Sequence, residues 1–206
     1  MDLWQRIHDM TLDTNNKDYI SWSWEKNDAF SAQSTYAVTA TTSFTWTSKA
    51  PLHRRFFAWL AIKDRCWTLD RLARRGLLHQ DTCPFCDQHG ETLDHILVSC
   101  VFTREVWHLV HMATDRPDLA PRIDEPLKEQ CIWTELAHAN RRTTRAICIL
   151  GLWELWKHRN GIVFDGASPS TNHVIERINT EGKIWRQAGL LKGDPDGFFA
   201  VLLRRV

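Results

Sequence analysis

The chain lacks any long hydrophobic run. Its longest uncharged apolar stretch of note, residues 146–153, falls far short of the roughly 20 residues needed to span a bilayer, so no membrane partner is expected. It does not open with a basic segment followed by an apolar one. No secretory leader is therefore expected, and the chain reads as soluble and intracellular, nuclear or cytoplasmic. Neither sign of charge dominates: 26 basic against 25 acidic residues leave a net +1, and no global field steers the chain toward polyanions or lipid. Repeats and low-complexity tracts are missing, as are a P-loop and a nucleophile elbow. Tyrosine is scarce, with two residues against eleven tryptophans. What is present is a chain of 206 residues, 43% hydrophobic and 25% charged, long enough to bury a core and too apolar to be wholly disordered. The tryptophans point to a core with several Trp-anchored helices.

Up to Ala50 the chain is polar and slightly acidic, with four basic and six acidic residues. Tyr19-Ile-Ser-Trp-Ser-Trp24 alternates large apolar and small polar side chains, the period of a half-buried strand. Glu25-Lys-Asn-Asp28 supplies turn chemistry and Phe30-Ser31 restarts the chain, so a short β-hairpin is expected. Residues 34–42 fit a helix or a strand. From Pro51 onward Phe56, Trp59, Leu60 and Lys63 recur at helical spacing. Thr68 is a candidate N-cap for a helix starting at Leu69, and Gly76 its natural stop. A further helix is expected over 103–112. Two prolines and mixed charge make residues 114–125 a loop or linker. Helical apolar spacing returns over 126–138, 143–159 and 171–188, with Ser170 a candidate cap and Gly189 a stop.

Six cysteines stand at 66, 83, 86, 100, 131 and 148. They are bunched, and in a reducing compartment clustered cysteines hold metal or do redox work more often than they form disulfides. Cys83-x2-Cys86-x8-His95-x4-Cys100 offers four soft or borderline ligands, the number a closed tetrahedral Zn²⁺ site requires. The x2 spacing lets two thiolates on one tight turn reach one ion; Pro84 stiffens that turn, and Gly90 is expected to let the loop fold back. On a continuous α-helix His95 and Cys100 would point about 140° apart, so the helix must end or loosen between them. With all four ligands from protein, no position is left for a reactive water, and the site reads as structural. The competing dithiol reading needs a helix directly after Cys86, where Asp87-Gln-His-Gly90 is a turn. His89 competes with His95 as the fourth ligand. Cys66, Cys131 and Cys148 read as core residues, and His53, His79, His108 and His111 as surface or packing residues.

The order Trp24, Phe30-Ser31, Ser34-x-Tyr36, Trp46, Pro51, Phe56-Phe57-x-Trp59-Leu60, Asp64-Arg65, Asp70-Arg71-Leu72-x-x-Arg75-Gly76, Cys83-Pro-x-Cys86, Glu91-Thr-x-x-His95 and Cys100 resembles a known family. It is the zinc-binding domain that follows the reverse transcriptase in plant non-LTR (LINE-type) retrotransposons. Leu152-Trp-Glu-Leu-Trp156-Lys-x-Arg159-Asn160 resembles the helical segment that trails it. The expected class is mainly α with a short N-terminal β-hairpin, a small zinc-knuckle module followed by a helical segment. The expected division is a lead-in at 1–17, the zinc-binding domain at 18–113, a linker at 114–125 and a C-terminal helical segment at 126–206.

The resemblance implies one structural zinc on Cys83, Cys86, His95 and Cys100, RNA or DNA handling, and a reverse transcriptase domain as neighbour in a parent polyprotein. No Tyr-x-Asp-Asp polymerase motif, paired carboxylates for a two-metal nuclease or ribonuclease H segment occurs, so a non-catalytic polyprotein fragment is expected. Between His53 and Arg75 seven basic residues face two acidic ones, a local net +5. Arg54, Arg55, Arg71, Arg74 and Arg75 are the candidates for sequence-independent contacts with a nucleic-acid backbone. The alternative is a solvated face whose arginine stems cover aromatic surface, in a structural or protein-interaction module.

Overall fold

In the computed structural model, which describes residues 32–76, 82–113, 117–121, 126–129, 131 and 141–191, every regular element is a helix. The chain divides into two units, Met1–Tyr36 and Ala37–Val206; of the first, the described residues are the opening of one helix. The expected class is corrected accordingly: the described residues contain no strand or sheet, and the hairpin positions, residues 19–31, lie outside them. The segment 34–42, open to either reading, belongs to helix α1, Ala32–Trp46. Its run of threonines favours a strand by intrinsic preference. In α1 the hydroxyls bond back along the helix instead, Thr45 Oγ1 donating to the Thr41 carbonyl at 3.0 Å and Thr47 Oγ1 to that of Ser43 at 2.7 Å. Burial of Ala40, Thr41, Phe44 and Thr45 settles the choice, because two adjacent pairs four residues apart share one face only at a helical period.

Helix α2, Leu52–Ile62, starts at Pro51, whose φ of −54° suits a helix entry. Helix α3, Leu69–Ala73, follows Thr68, and Gly76 at φ +67° ends the segment. A wide turn of π type, His95–Ser99, leads into α4, Val101–Ala113. A 3₁₀ turn, Pro117–Leu119, follows. Helix α5 is the longest, Arg141–Asp165, and α6, Thr171–Gln187, folds back against it. Ser170 caps α6 by accepting the His173 N–H at 3.2 Å, and Gly189 at φ +73° stops it. None of the described helices is long and apolar enough to cross a membrane.

Helix α5 contacts α2, α6 and the π turn, while α4 contacts α6. One hydrophobic core runs through all of them, from Phe57, Ala58 and Ala61 through Ile149, Leu150 and Leu155 to Val174, Ile178 and Trp185. Cys66, Cys131 and Cys148 lie in that core. Trp107 of α4 packs directly on Gly151 of α5, where a Cβ would meet the Trp107 ring at 2.6 Å. Burial on this scale contributes about 1.5–3 kcal/mol for each large apolar side chain. Register is fixed by polar pins. Arg159 donates from Nε and Nη2 to the two oxygens of Glu91 at 2.9 and 2.7 Å, and both side chains are almost wholly buried. The same carboxylate accepts the Leu69 N–H at 2.7 Å, an anion at the start of α3 supplied from another segment. Glu91 thus ties α3, α5 and the entry to the π turn together.

Candidate metal centre

The first two ligands come from a tight loop. The Asp87 N–H returns to the Cys83 carbonyl at 2.9 Å and the Cys83 N–H to the His89 carbonyl at 2.7 Å, closing Cys83-Pro-Phe-Cys86 on itself. The reversal expected of Gly90 is made by Asp87, whose φ is +53°. Aspartate tolerates that left-handed geometry, and here its carboxylate also accepts the Thr82 hydroxyl. The Phe85 N–H points at Cys83 Sγ, 3.4 Å away, a contact that by itself favours the thiolate.

The other two ligands come from the π turn. Thr92 Oγ1 accepts the His95 N–H at 3.1 Å and so fixes where the turn begins. The Cys100 backbone leaves the turn at φ −56°, ψ 139°. Two carbonyls near the end of the turn find partners on α4: Ile96 accepts the Thr103 hydroxyl at 2.7 Å and Leu97 the Trp107 indole N–H at 2.8 Å. The geometry is held from the buried side.

These elements bring Cys83, Cys86, His95 and Cys100 together, with all four ligand atoms within 4.8 Å of one another. Cys86 Sγ lies 3.4 Å from His95 Nε2. A tetrahedral zinc with ordinary Zn–S and Zn–N lengths sets that edge at about 3.5 Å, so the donors fit the ion in spacing as well as in kind. Cys83 and Cys100 are buried, Cys86 and His95 half-buried. The Cys83 thiol donates to the Cys100 sulfur, which together with burial pushes Cys83 up to about 12 and holds Cys100 below its ordinary value. A divalent cation held by these residues would take the place of that shared proton and stabilise both thiolates. Outside the cluster, burial and the neighbouring Asp64 push Cys66 up to about 11, which keeps it an inert thiol at neutral pH. His89 is exposed and stands outside the cluster, its ring 5.5 Å from that of His95.

The five arginines fare differently. Arg54 pairs with Glu181 at 2.7 Å, its guanidinium between the Trp153 and Trp185 rings at 5.9 and 5.2 Å. Arg55 donates to the Trp46 carbonyl at the end of α1, at 2.9 Å. Arg71 stands 3.6 Å from Asp64, and Arg74 pairs with Asp70 at 2.6 Å while staying largely exposed. Arg75 is exposed and lies over the half-exposed Trp67 ring at 4.4 Å. Glu91 and Arg159, which brace the centre, are missed by residue chemistry alone. The signal that marks them is their place in the motifs Glu91-Thr and Arg159-Asn160.

Residues 13–107 match the model of a family described as zinc-binding in reverse transcriptase. That stretch holds all four clustered residues. No curated protein and no solved structure matches the chain. The donor set, its spacing and the family match together make the cluster a site for a single zinc ion.

Proposed function

We propose that the chain is a non-catalytic zinc-binding module of a retroelement polyprotein, of the plant LINE type, that works beside a reverse transcriptase and contributes contacts to an RNA or DNA backbone. The observation that carries this reading is the convergence of three thiols and one imidazole within 4.8 Å inside the family-matched stretch. In this reading Cys83, Cys86, His95 and Cys100 hold the ion, which supplies cross-linking between the loop and the π turn. With four protein ligands there is no open position for substrate or water, so the zinc's work is structural.

The nucleic-acid part of the reading rests on Arg74 and Arg75, both exposed, with Arg55 and Arg71 half-buried. Guanidinium groups bind phosphate in forks without reading bases, and the half-exposed Trp67 offers a face for an unstacked base. A salt series with generic single-stranded RNA tests it: affinity should fall as salt rises, and the Arg74→Gln/Arg75→Gln variant should flatten the slope of log K against log salt by about 1–2. RNA affinity equal in wild type and variant at every salt concentration refutes the nucleic-acid role.

A second reading, a structural or protein-interaction module, is favoured by one specific observation. Arg54, one of the five candidate arginines, is spent inside the fold on Glu181 and two tryptophans. Under that reading RNA affinity is negligible in the wild type as well.

A further inference from the structure

Helices α5 and α6 and the loop between them enclose a cleft of about 390 Å³. Its polar lining comes from Lys157 and His158 on α5, Ser168 and Ser170 on the loop, and His173 and Arg177 on α6. Among the described residues no carboxylate lines it. Two of its cations share one acidic anchor, the wholly buried Glu154, which holds Lys157 Nζ at 2.7 Å and Arg177 Nε at 2.8 Å. One carboxylate against two cations leaves a surplus positive charge. The Arg177 terminal nitrogens and the remaining Lys157 donors are not those that Glu154 engages.

The imidazole of His158 is fixed just as firmly. Its Nε2 accepts the Ser170 N–H at 3.0 Å, so its neutral form carries the proton on Nδ1 and offers a donor there. Its ring stacks with Phe85 and Phe102, at 5.9 and 5.7 Å between centroids. Room for a ligand comes from two small residues, Gly161 and Ala167; a Cβ added at Gly161 would meet nothing closer than the Ala167 Cβ at 3.9 Å. A cleft rich in fixed donors and positive charge is suited to an oxyanion. Its volume lies within the range of small-ligand sites, about 300–1,000 Å³.

We propose that this α5–α6 cleft binds a terminal phosphate group, carried by a mononucleotide or by the 5′ end of a strand. None of its residues belongs to the zinc cluster or to the five candidate arginines, so it stands independently of the nucleic-acid reading above.

The test titrates the zinc-loaded full chain with adenosine monophosphate, by calorimetry and by the NMR signals of the histidine rings. Saturable binding is expected, with the His158 and His173 signals shifting together. Lys157→Gln and Gly161→Leu should each weaken it at least tenfold while zinc content is retained. Lys157→Gln leaves Glu154 paired with Arg177, and Gly161→Leu fills the cleft without touching a charge. Lys49→Gln, at an exposed lysine outside the cleft, should leave the affinity unchanged. A second arm compares 5′-phosphorylated with 5′-hydroxyl oligonucleotides: a tenfold preference for the phosphorylated strand assigns the site to strand ends, and mononucleotide binding without that preference assigns it to free nucleotides. Absence of saturable binding in both arms, or affinity unchanged in both cleft variants, overturns the proposal.

Discussion

The backbone N–H of Cys100 donates to the carbonyl of His95 at 2.8 Å, five residues back along the chain. In an α-helix that pair would diverge by about 140°. A π turn advances only about 80° per residue, so five residues bring Cys100 to within about 40° of the His95 direction. The widened turn is the device that lets a His-x4-Cys spacing serve one ion.

The turn is held from α4, so substitutions there should reach the metal. Thr103→Val removes the donor to the Ile96 carbonyl and Trp107→Phe the donor to Leu97. Each leaves a buried carbonyl unsatisfied, at a cost of about 1–3 kcal/mol. Zinc affinity, measured by competition with a chromophoric chelator, should fall several-fold in both. Unchanged affinity alongside lost stability would show that the turn does not depend on these bonds.

Loss of Arg159 should be among the most damaging single changes outside the cluster. Arg159→Met leaves the Glu91 carboxylate buried with the Leu69 N–H as its remaining neighbour of opposite polarity. Breaking a buried pair in this way costs about 3–5 kcal/mol. The double variant Glu91→Leu/Arg159→Met should be less destabilised than the sum of its parts in urea unfolding, because no uncompensated charge is left. Strict additivity would contradict the pairing.

Two glycines on α5 should respond in opposite directions to alanine. At Gly151 the new Cβ meets a Trp107 ring pinned by its own hydrogen bond, so Gly151→Ala should destabilise by about 1–3 kcal/mol. At Gly161 the nearest atom is 3.9 Å away, and Gly161→Ala should stabilise by up to about 1 kcal/mol through helix propensity. Thermal melts of the two variants give the signs directly.

His158 adds a pH dependence of definite sign. Burial, with His173 and Arg177 nearby, holds its pKa below the ordinary 6.5. The unfolded chain therefore takes up the proton first, and the contribution of His158 to stability is present above pH 6.5 and lost as pH falls below it. The stability gap between wild type and His158→Gln should shrink between pH 7.5 and 5.5. Parallel curves over that range would show that the ring titrates as it does in water.

How far the sequence carries can be read off particular residues. Gly76, Ser170 and Gly189 mark helix limits because these caps and stops depend on local chemistry alone, whereas Thr68 precedes α3 without a side-chain capping bond and the Leu69 N–H goes to Glu91. The four clustered residues stand out for the same reason: soft ligands at short spacing are rare by accident, and the 140° argument already requires a distorted turn after His95. Residues 34–42 are undecidable locally because threonine hydroxyls suit either structure, and the choice falls to the joint burial of Ala40, Thr41, Phe44 and Thr45. The reversal assigned to Gly90 went to Asp87 because the Thr82 hydroxyl stabilises an aspartate there. Partners distant in sequence left no local trace at all. Arg54 looks identical to Arg75 in the sequence, yet one is held by Glu181 and the other lies over an exposed ring.

Metal content of the purified chain tests the central claim most directly. Elemental analysis should give one zinc per chain in the wild type, and neither Cys83→Ser nor Cys100→Ser should retain it after dialysis. Structural zinc contributes on the order of 10 kcal/mol to small modules, so a chelator should also collapse the melting transition of the wild type. A wild type that takes up no zinc on reconstitution, or both serine variants holding a full equivalent, would contradict the account.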